Sequence, residues 1–310
     1  MSGAAKVLQD SSLPPVRGTV RQVMSMLWRD KFALAAAVVL LTIVLCAMIG
    51  PELMGDAASK QNLRGRNAAP FELGRGWSFI LGSDALGRPI LPRIMVAARN
   101  TLLIAATSVF FAMVLGSSLG LVAGYTSKTV SQVIMRLADV IMSFPSLLLA
   151  VIVLYMLEPS VMNIVLVLAV TRIPIYLRTT RAEVLEIRER MFVQAARVMG
   201  ASDARIVLRH ILPVVFPTLV TIATLDFAFV MLAESSLSFL GIGIQPPEVT
   251  WGLMVAQGRP YLANAWWLAL FPGLAIVLTT MSLTLLSGWM RTALDPVQRW
   301  RLEVGSSANG

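Results

Sequence analysis

Apolar stretches alternate with polar segments along the chain, and six of these stretches reach or approach the length of a transmembrane helix. A helix needs about 20 largely apolar residues to cross the hydrocarbon core of a bilayer. The six predicted spans cover residues 32–49, 101–123, 139–157, 161–177, 214–233 and 266–289. The pattern therefore predicts an all-α, polytopic membrane protein with six transmembrane helices.

The distribution of Lys and Arg predicts the orientation, because cytosolic loops of membrane proteins carry an excess of these residues. With the N-terminus inside, 18 of the 26 Lys and Arg residues fall in inside segments and 8 fall outside. Seven of the outside residues lie in the segment 50–99, although long loops follow the rule less strictly. We therefore expect both termini and residues 178–212 to be cytosolic.

The composition excludes an ordinary water-soluble domain. Of the 310 residues, 56% are hydrophobic and 14% charged, and the mean hydropathy is +0.74, whereas soluble domains are about 25% charged. Residues 21–31 fit either a short interfacial helix or a charged flank of the first span. The predicted parts are a cytosolic tail and interfacial segment (1–31), a first transmembrane helix (32–49), an extracytoplasmic loop (50–99), a five-helix core (100–290) with a cytosolic loop (178–212), and a cytosolic tail (291–310).

Residue types that carry enzymatic or metal chemistry are scarce in this chain. It has one cysteine, Cys46, and one histidine, His210, which excludes a disulfide framework and a cysteine metal cluster. Residues 124–129 end in Lys-Thr but lack the glycine spacing of a phosphate-binding loop. The net charge of +9 follows from the predicted topology. We expect the chain itself to bind no cofactor, metal or nucleic acid.

The stretch 194–213, between the fourth and fifth spans, reads Q-A-A-R-V-M-G-A-S-D-A-R-I-V-L-R-H-I-L-P. Gly200 is a natural helix stop, because glycine adopts a left-handed conformation without strain. Ser202 or Asp203 can cap a second helix through its side-chain oxygen, and Pro213 suits the first turn of the next helix. The prediction is a helix, a sharp turn, a short helix and then a membrane span.

The segment before Gly200 has the pattern of an amphipathic helix over residues 178–200. Glu186 and Arg190 stand four residues apart in the favourable order. An amphipathic helix with exposed charge is a common means of docking into a partner's groove. The apolar positions at helical spacing are Val184, Ile187, Met191, Ala195 and Val198.

This stretch resembles the signature loop of importer-type ABC permeases, which is written E-A-A, three residues, Gly, nine residues, Ile-x-Leu-Pro. Gln194 stands where the family has Glu, and His210 where it has Ile. In that family the loop is cytosolic and docks into a separate ATPase subunit. The residues in register are Ala195, Ala196, Gly200, Leu212 and Pro213.

Further strings resemble the di/oligopeptide and nickel branch of these permeases. Residues 81–102 resemble G-T-D-x-L-G-R-D-x-x-S-R, and residues 233–243, A-E-S-S-L-S-F-L-G-I-G, resemble A-E-x-x-L-S-F-L-G-L-G. Arg136 and Asp139 match the M-R-x-x-D string, and we expect them to form an ion pair. With the L-D-P ending at 294–296, the resemblance covers about residues 80–296.

The resemblance implies a type I ABC importer permease fold in the bacterial inner membrane. It implies a homologous second permease, with a heterodimer expected, two ATPase subunits that bind ATP, and an extracytoplasmic solute-binding protein. The chain would form half of the translocation pathway for peptides, and would perform no catalysis itself. The same role for nickel, glutathione or another small solute stays open. The residues expected in the ATPase-docking loop are Gln194, Ala195, Ala196, Gly200, Ala201, Asp203, Arg205, Arg209 and Pro213.

Five residues are candidates for the solute pathway or its gate. Asp226 lies near the middle of the fifth span, where a carboxylate is expensive and usually faces a bundle interior or an aqueous path. Pathway lining and a simple helix–helix contact are both open for it. We expect Pro145 to kink the third span. The other three candidates are Glu234, Ser238 and Phe239.

Two local predictions concern the second span. Gly116, Gly120 and Gly124 recur every four residues, which lets a neighbouring helix approach closely. Pro89 and Pro92 lack N–H groups and are expected to interrupt the helix before this span.

Two other function classes remain as alternatives. A secondary transporter would use midplane charges and inverted repeats, and the sequence shows no inverted repeat. A membrane enzyme would need clustered histidine, cysteine or carboxylate residues, and the single histidine lies in the predicted cytosolic loop.

Overall fold

The computed structural model describes residues 24–294 except 25, 73, 75 and 159, and the regular structure in these residues is helical. The predicted tails at 1–23 and 295–310 lie outside the described residues. Residues 26–29 are helical, and α1 follows after Asp30, whose carboxylate accepts hydrogen bonds from the N–H groups of Phe32 and Ala33. This favours a short helix over a simple charged flank before the first span.

The helices of the described residues are numbered in chain order. They are α1 (Lys31–Ser59), α2 (Ile90–Tyr125), α3 (Lys128–Met142), α4 (Ser146–Met156), α5 (Val161–Ile187), α6 (Met191–Val198), α7 (Asp203–Phe239), α8 (Trp251–Gly258) and α9 (Trp267–Leu294). Short 3₁₀ turns lie at Leu63–Gly65, Trp77–Phe79 and Arg259–Tyr261.

Five of these helices (α1, α2, α5, α7 and α9) are long and apolar enough to cross a membrane, and α3 with α4 adds a sixth if the pair is one broken span. The third predicted span, in which we expected a kink at Pro145, is divided into α3 and α4, which meet at an angle of 84°. Pro145, which directly precedes α4, lacks an N–H group and disfavours helix at Phe144. The predicted kink at Pro145 is therefore a sharp break.

Several helices extend beyond the apolar stretches that predict them. α1 continues through Pro51 to Ser59, and α5 runs past the predicted span to Ile187. Helix-forming residues such as Glu and Arg follow the span of α5, so nothing in the sequence ends the helix at residue 177. The part of the predicted extracytoplasmic loop that lies between α1 and α2 is accordingly shorter, and comprises residues 60–89.

The predicted interruption by two prolines is wrong for Pro92. Pro89 lies immediately before α2, and Pro92 lies in the first turn of that helix. The first N–H groups of a helix have no partner within it, so a proline there removes no hydrogen bond. The two prolines therefore mark the start of a 36-residue helix.

The glycine stripe of α2 packs directly against α5, as predicted. A Cβ atom on Gly116 would lie 2.7 Å from the carbonyl oxygen of Ile173, and one on Gly120 would lie 2.6 Å from Cβ of Thr180. A Cβ atom on Gly124 would lie equally close to Val184. Only glycine permits this separation of the two helices, which matters because lipid supplies no hydrophobic drive between them.

The loop of residues 60–89 is organised by one buried carboxylate. Asp84 accepts hydrogen bonds from the N–H groups of Leu86 and Arg88, at 2.9 and 2.8 Å, and forms ion pairs with the Arg88 and Arg93 guanidinium groups. Arg93 also donates to the side chain of Gln257 in α8, at 3.1 Å. The loop is thereby fixed to the ends of α2 and α8.

Candidate functional site

The predicted turn at Gly200 is present. Gly200 has φ +83°, a left-handed conformation, and it lies between α6 and α7. The N–H of Ala201 donates to the carbonyl of Ala196, at 3.1 Å, which is the six-to-one bond typical of glycine-terminated helices. Ser202 occupies the N-cap position of the next helix, but its side chain makes no capping hydrogen bond, contrary to the expectation.

The predicted single amphipathic helix over 178–200 is wrong, because α5 ends at Ile187 and α6 begins at Met191. The break resets the helical register, so that Val193 and Ala196 of α6 are buried. Met191 and Val198 are 85% and 88% exposed, and Met199 is 81% exposed. Large apolar side chains are thus exposed near both ends of α6.

Most of the residues expected in the docking loop lie on its surface. Ala196, which is part of α6, is buried. Ala201, which follows the turn at Gly200, is half-buried. The Gln194 amide nitrogen donates to the backbone carbonyl of Glu189, at 3.1 Å, and so fixes the break between α5 and α6. The predicted residues that are exposed are Gln194, Ala195, Gly200, Asp203, Arg205, Arg209 and Pro213.

One side chain outside the loop connects its two helices. The Tyr125 hydroxyl, at the end of α2, donates to Oδ1 of Asp203 at 2.8 Å and accepts from Nη2 of Arg197 at 3.2 Å. This hydrogen bond raises the pKa of Arg197 above its ordinary value. Arg188 adds a third connection, donating at 3.0 Å to the carbonyl of Gly124. No pattern in the sequence singles out Tyr125, because the contact joins residues that are 78 positions apart.

The helix after Gly200 does not begin anew at Pro213. α7 is continuous from Asp203 to Phe239 and contains a π turn at Val207–Ile211. Pro213 cannot donate to the carbonyl four residues before it, and its ring would crowd that carbonyl in a regular helix. The wider π turn accommodates this position, so the loop is joined rigidly to the membrane span.

Asp226 of α7 is buried and paired with α5. Its Oδ1 accepts from Nε of Arg172 at 2.6 Å, and its Oδ2 accepts from the Tyr176 hydroxyl at 3.1 Å. The Arg172 guanidinium also lies 4.2 Å from the centre of the Phe229 ring. Arg172 was missed by the sequence analysis, although an arginine inside an apolar span is itself the signal of a special site.

Glu234 and Ser238, two other pathway candidates, are buried together near the end of α7. The Ser238 hydroxyl donates to Oε1 of Glu234 at 2.8 Å and accepts from the N–H of Ile244 at 3.2 Å. The pair thus fixes the turn that follows α7. Phe239 is 38% exposed, and its ring lies 5.5 Å below the Arg259 guanidinium. Pro145 is exposed at the break between α3 and α4.

Asp139 has a nearer partner than the one predicted from sequence. Nη2 of Arg178 lies 2.6 Å from Oδ1 of Asp139, whereas Nη1 of Arg136 lies 4.0 Å from Oδ2. The stronger contact therefore joins α3 to α5. Among the described residues there is no group of three or more His, Cys, Asp or Glu side chains that could hold a metal ion.

A sequence model of one protein family, the binding-protein-dependent transport system inner membrane component, matches residues 116–300. The chain belongs to this family. The matched region contains the α6–Gly200–α7 loop and both buried clusters of α7. It follows that the chain is a multi-pass permease subunit of importers in the inner membrane.

Relatives of known name align over most of this chain. The di/tripeptide transport system permease protein DppC of Pseudomonas aeruginosa is 38% identical over 268 residues, which cover 86% of this chain and 88% of the relative. The probable D,D-dipeptide transport system permease protein DdpC of Escherichia coli is 33% identical, covering 93% and 96%. The glutathione transport system permease protein GsiD of Pectobacterium atrosepticum is 35% identical, covering 96% of each chain.

The fold has also been seen in an experimental structure. An inward-facing structure of the MetNI methionine ABC transporter superposes with a TM-score of 0.55 at 19% identity, covering 66% of this chain and 98% of the other. At this identity the likeness speaks for the fold alone. The predicted type I ABC importer permease fold is confirmed.

Proposed function

We propose that this chain forms half of the translocation pathway of an ATP-driven importer for di- or oligopeptides. The observation that carries the proposal is the exposed loop built from α6, Gly200 and the start of α7. It presents apolar side chains to solvent at one end of the bundle, and it is joined without interruption to a membrane span. The family and the peptide-transporting relatives support the same function.

The loop is the docking site for a separate ATPase subunit. Met191, Val198 and Met199 are each more than 80% exposed, and methionine adapts well to a partner's groove. Arg205 and Arg209 add exposed positive charge beside the turn. ATP is bound and hydrolysed by two such ATPase subunits, and the continuous α7 carries their movement into the membrane.

A second, homologous permease completes the pathway, in a heterodimer. Large apolar side chains of α3 and α4 are exposed in the single chain, including Val133, Leu137, Leu148 and Ile152. Contiguous exposed apolar surface in a bundle marks contact with lipid or with another chain. An extracytoplasmic binding protein delivers the solute to the opposite end.

The docking loop and both termini lie in the cytosol, and residues 60–89 lie on the extracytoplasmic side. The excess of Lys and Arg in the inside segments supports this orientation.

Labelling of single cysteines in a Cys46→Ser background tests the orientation. Ser202→Cys should react only after permeabilisation of the inner membrane, and Gln61→Cys should react without it. Reaction of both without permeabilisation would overturn the orientation.

Uptake by a reconstituted transporter tests the function itself. The complete complex, with its ATPase subunits and binding protein, should accumulate a labelled dipeptide in vesicles only when ATP reaches the ATPase side. Competition with unlabelled tripeptide, glutathione and Ni²⁺ then identifies the solute class. Competition by glutathione alone would support the glutathione alternative, which the 35% identity to GsiD favours. Uptake driven by an ion gradient without ATP would refute the proposal.

A further inference from the structure

A cavity of about 570 Å³ lies in the side of the bundle between α1, α2, α7 and α9. Its walls are almost entirely apolar, and Leu40, Val44 and Ala106 are among the residues that form them. The hydroxyl of Thr279, which also faces the cavity, donates to the carbonyl of Ala275 at 2.6 Å and is therefore not a free donor. The interior is therefore suited to a hydrocarbon chain.

The cavity is about as long as one leaflet of a bilayer is thick. It extends along α1 from Leu40 to Glu52, which is about 18 Å at 1.5 Å per residue. Half of a hydrocarbon core of about 30 Å is roughly 15 Å. Phe227, the neighbour of Asp226 in α7, also lines the cavity. Its mouth lies at the end of the bundle that carries residues 60–89.

Two opposite charges stand at the mouth. Nη1 of Arg99 and Oε1 of Glu52 are 3.9 Å apart, and their side chains are 51% and 80% exposed. This distance is too long for a hydrogen bond, so both groups keep their capacity for an outside partner. A ligand with an anionic and a cationic group side by side would satisfy both of them.

We infer that this cavity is a structural binding site for one phosphatidylethanolamine molecule. An acyl chain occupies the cavity, the phosphate pairs with Arg99, and the primary ammonium donates to Glu52. Charge-assisted hydrogen bonds of this kind are among the strongest available to a protein. The inference depends on the proposed function in one point only: the proposed orientation places the lipid in the outer leaflet.

A transmembrane helix of the second permease is too wide to occupy the same space. A helix about 10 Å in diameter and 18 Å long takes up a volume on the order of 1,400 Å³, which is larger than the cavity. The headgroup also discriminates between lipids. Phosphatidylglycerol has no ammonium group for Glu52, and the quaternary ammonium of phosphatidylcholine has no N–H to donate.

Native mass spectrometry of the complete purified transporter tests the site. The wild-type complex should bind one phosphatidylethanolamine with an affinity roughly tenfold higher than for the glycerol or choline lipid of the same chains, as expected for one charge-assisted hydrogen bond. Ala106→Phe, which fills the cavity, should abolish this binding. Ala35→Phe, at an exposed position of α1 outside the cavity, is the matched control and should retain it.

Two substitutions of the residues that would contact the lipid headgroup make the test more specific. Glu52→Gln should remove the preference for phosphatidylethanolamine, and Arg99→Gln should weaken binding of all three lipids. If Ala106→Phe fails to assemble, Val44→Trp fills the cavity from α1 instead.

Equal binding of the three lipids by the wild type, or unchanged binding by the filled variants, would overturn the site. A cross-link from Val44→Cys to the second permease would also overturn it. Lipid binding is measured without transport, so its failure leaves the importer function untouched.

Discussion

The hydroxyl of Tyr125 lies 2.8 Å from Oδ1 of Asp203, and this contact joins the end of α2 to the start of α7. The hydroxyl oxygen of Tyr125 also accepts a hydrogen bond from Arg197 of α6. One side chain of the membrane bundle therefore positions both helices of the docking loop, on either side of Gly200. In the proposed complex, a push from the ATPase on α6 would be transmitted through this contact as well as through the backbone of α7.

Tyr125→Phe should loosen the docking loop while the bundle stays folded. The substitution removes two hydrogen bonds of about 0.5–1.5 kcal/mol each, so amide protons of α6 should exchange several times faster with solvent. Tyr155→Phe is the control, because Tyr155 is 85% exposed at the end of α4. Hydrogen exchange and peptide-stimulated ATPase activity measure the effect. Unchanged exchange in α6 would show that Tyr125 does not hold the loop.

Gly200→Val should abolish transport, because a β-branched residue resists the left-handed conformation at φ +83°. No atom would contact an added Cβ within 4 Å, so the cost of about 1–2 kcal/mol is that of the backbone alone. Gly200→Asn should retain most of the activity, since asparagine tolerates this conformation. An equal loss of transport in both variants would show that any side chain at residue 200 is excluded by the bound ATPase, and that the backbone conformation of residue 200 matters less. Uptake and ATPase binding are the measurements.

Asp226→Leu should destabilise the bundle severely. It leaves the Arg172 guanidinium without its carboxylate partner, and breaking a buried ion pair in this way costs roughly 3–5 kcal/mol. The double variant Arg172→Met/Asp226→Leu removes both charges and should recover much of the thermal stability in detergent. If the stable double variant transports normally, the pair is purely structural. Loss of transport in that variant would place it in the pathway.

Gly120→Ala should force α2 and α5 apart, because the new Cβ would lie 2.6 Å from Cβ of Thr180 and 2.7 Å from the carbonyl oxygen of Leu177. Overpacking of this kind costs about 1–3 kcal/mol. Gly273→Ala in α9 is the matched control, as its Cβ would contact no atom within 4 Å. Thermal unfolding of the two variants in the same detergent should differ by several degrees. Equal unfolding temperatures would contradict the close packing.

The sequence alone determined the features that depend on residues close to one another in the chain. The length of an apolar stretch identifies a span, because the bilayer has a fixed thickness. Gly200 identifies a turn, because its conformation is available to few other residues. The spacing of Gly116, Gly120 and Gly124 identifies the face of α2 that another helix approaches, although it does not say which helix. The strings around Gly200 and Glu234 were sufficient to indicate the family.

Only the tertiary structure decided which distant residues meet. Asp226 was a candidate from sequence, but its pairing with Arg172 and Tyr176 follows from how α5 packs on α7. Asp139 pairs with its neighbour Arg136 at 4.0 Å, but its nearer partner is Arg178 at 2.6 Å, because the packing of α5 on α3 places that guanidinium beside it. Side-chain pairing depends on the relative position of two packed helices, and residue spacing within one helix does not say which residues of the other helix it will meet.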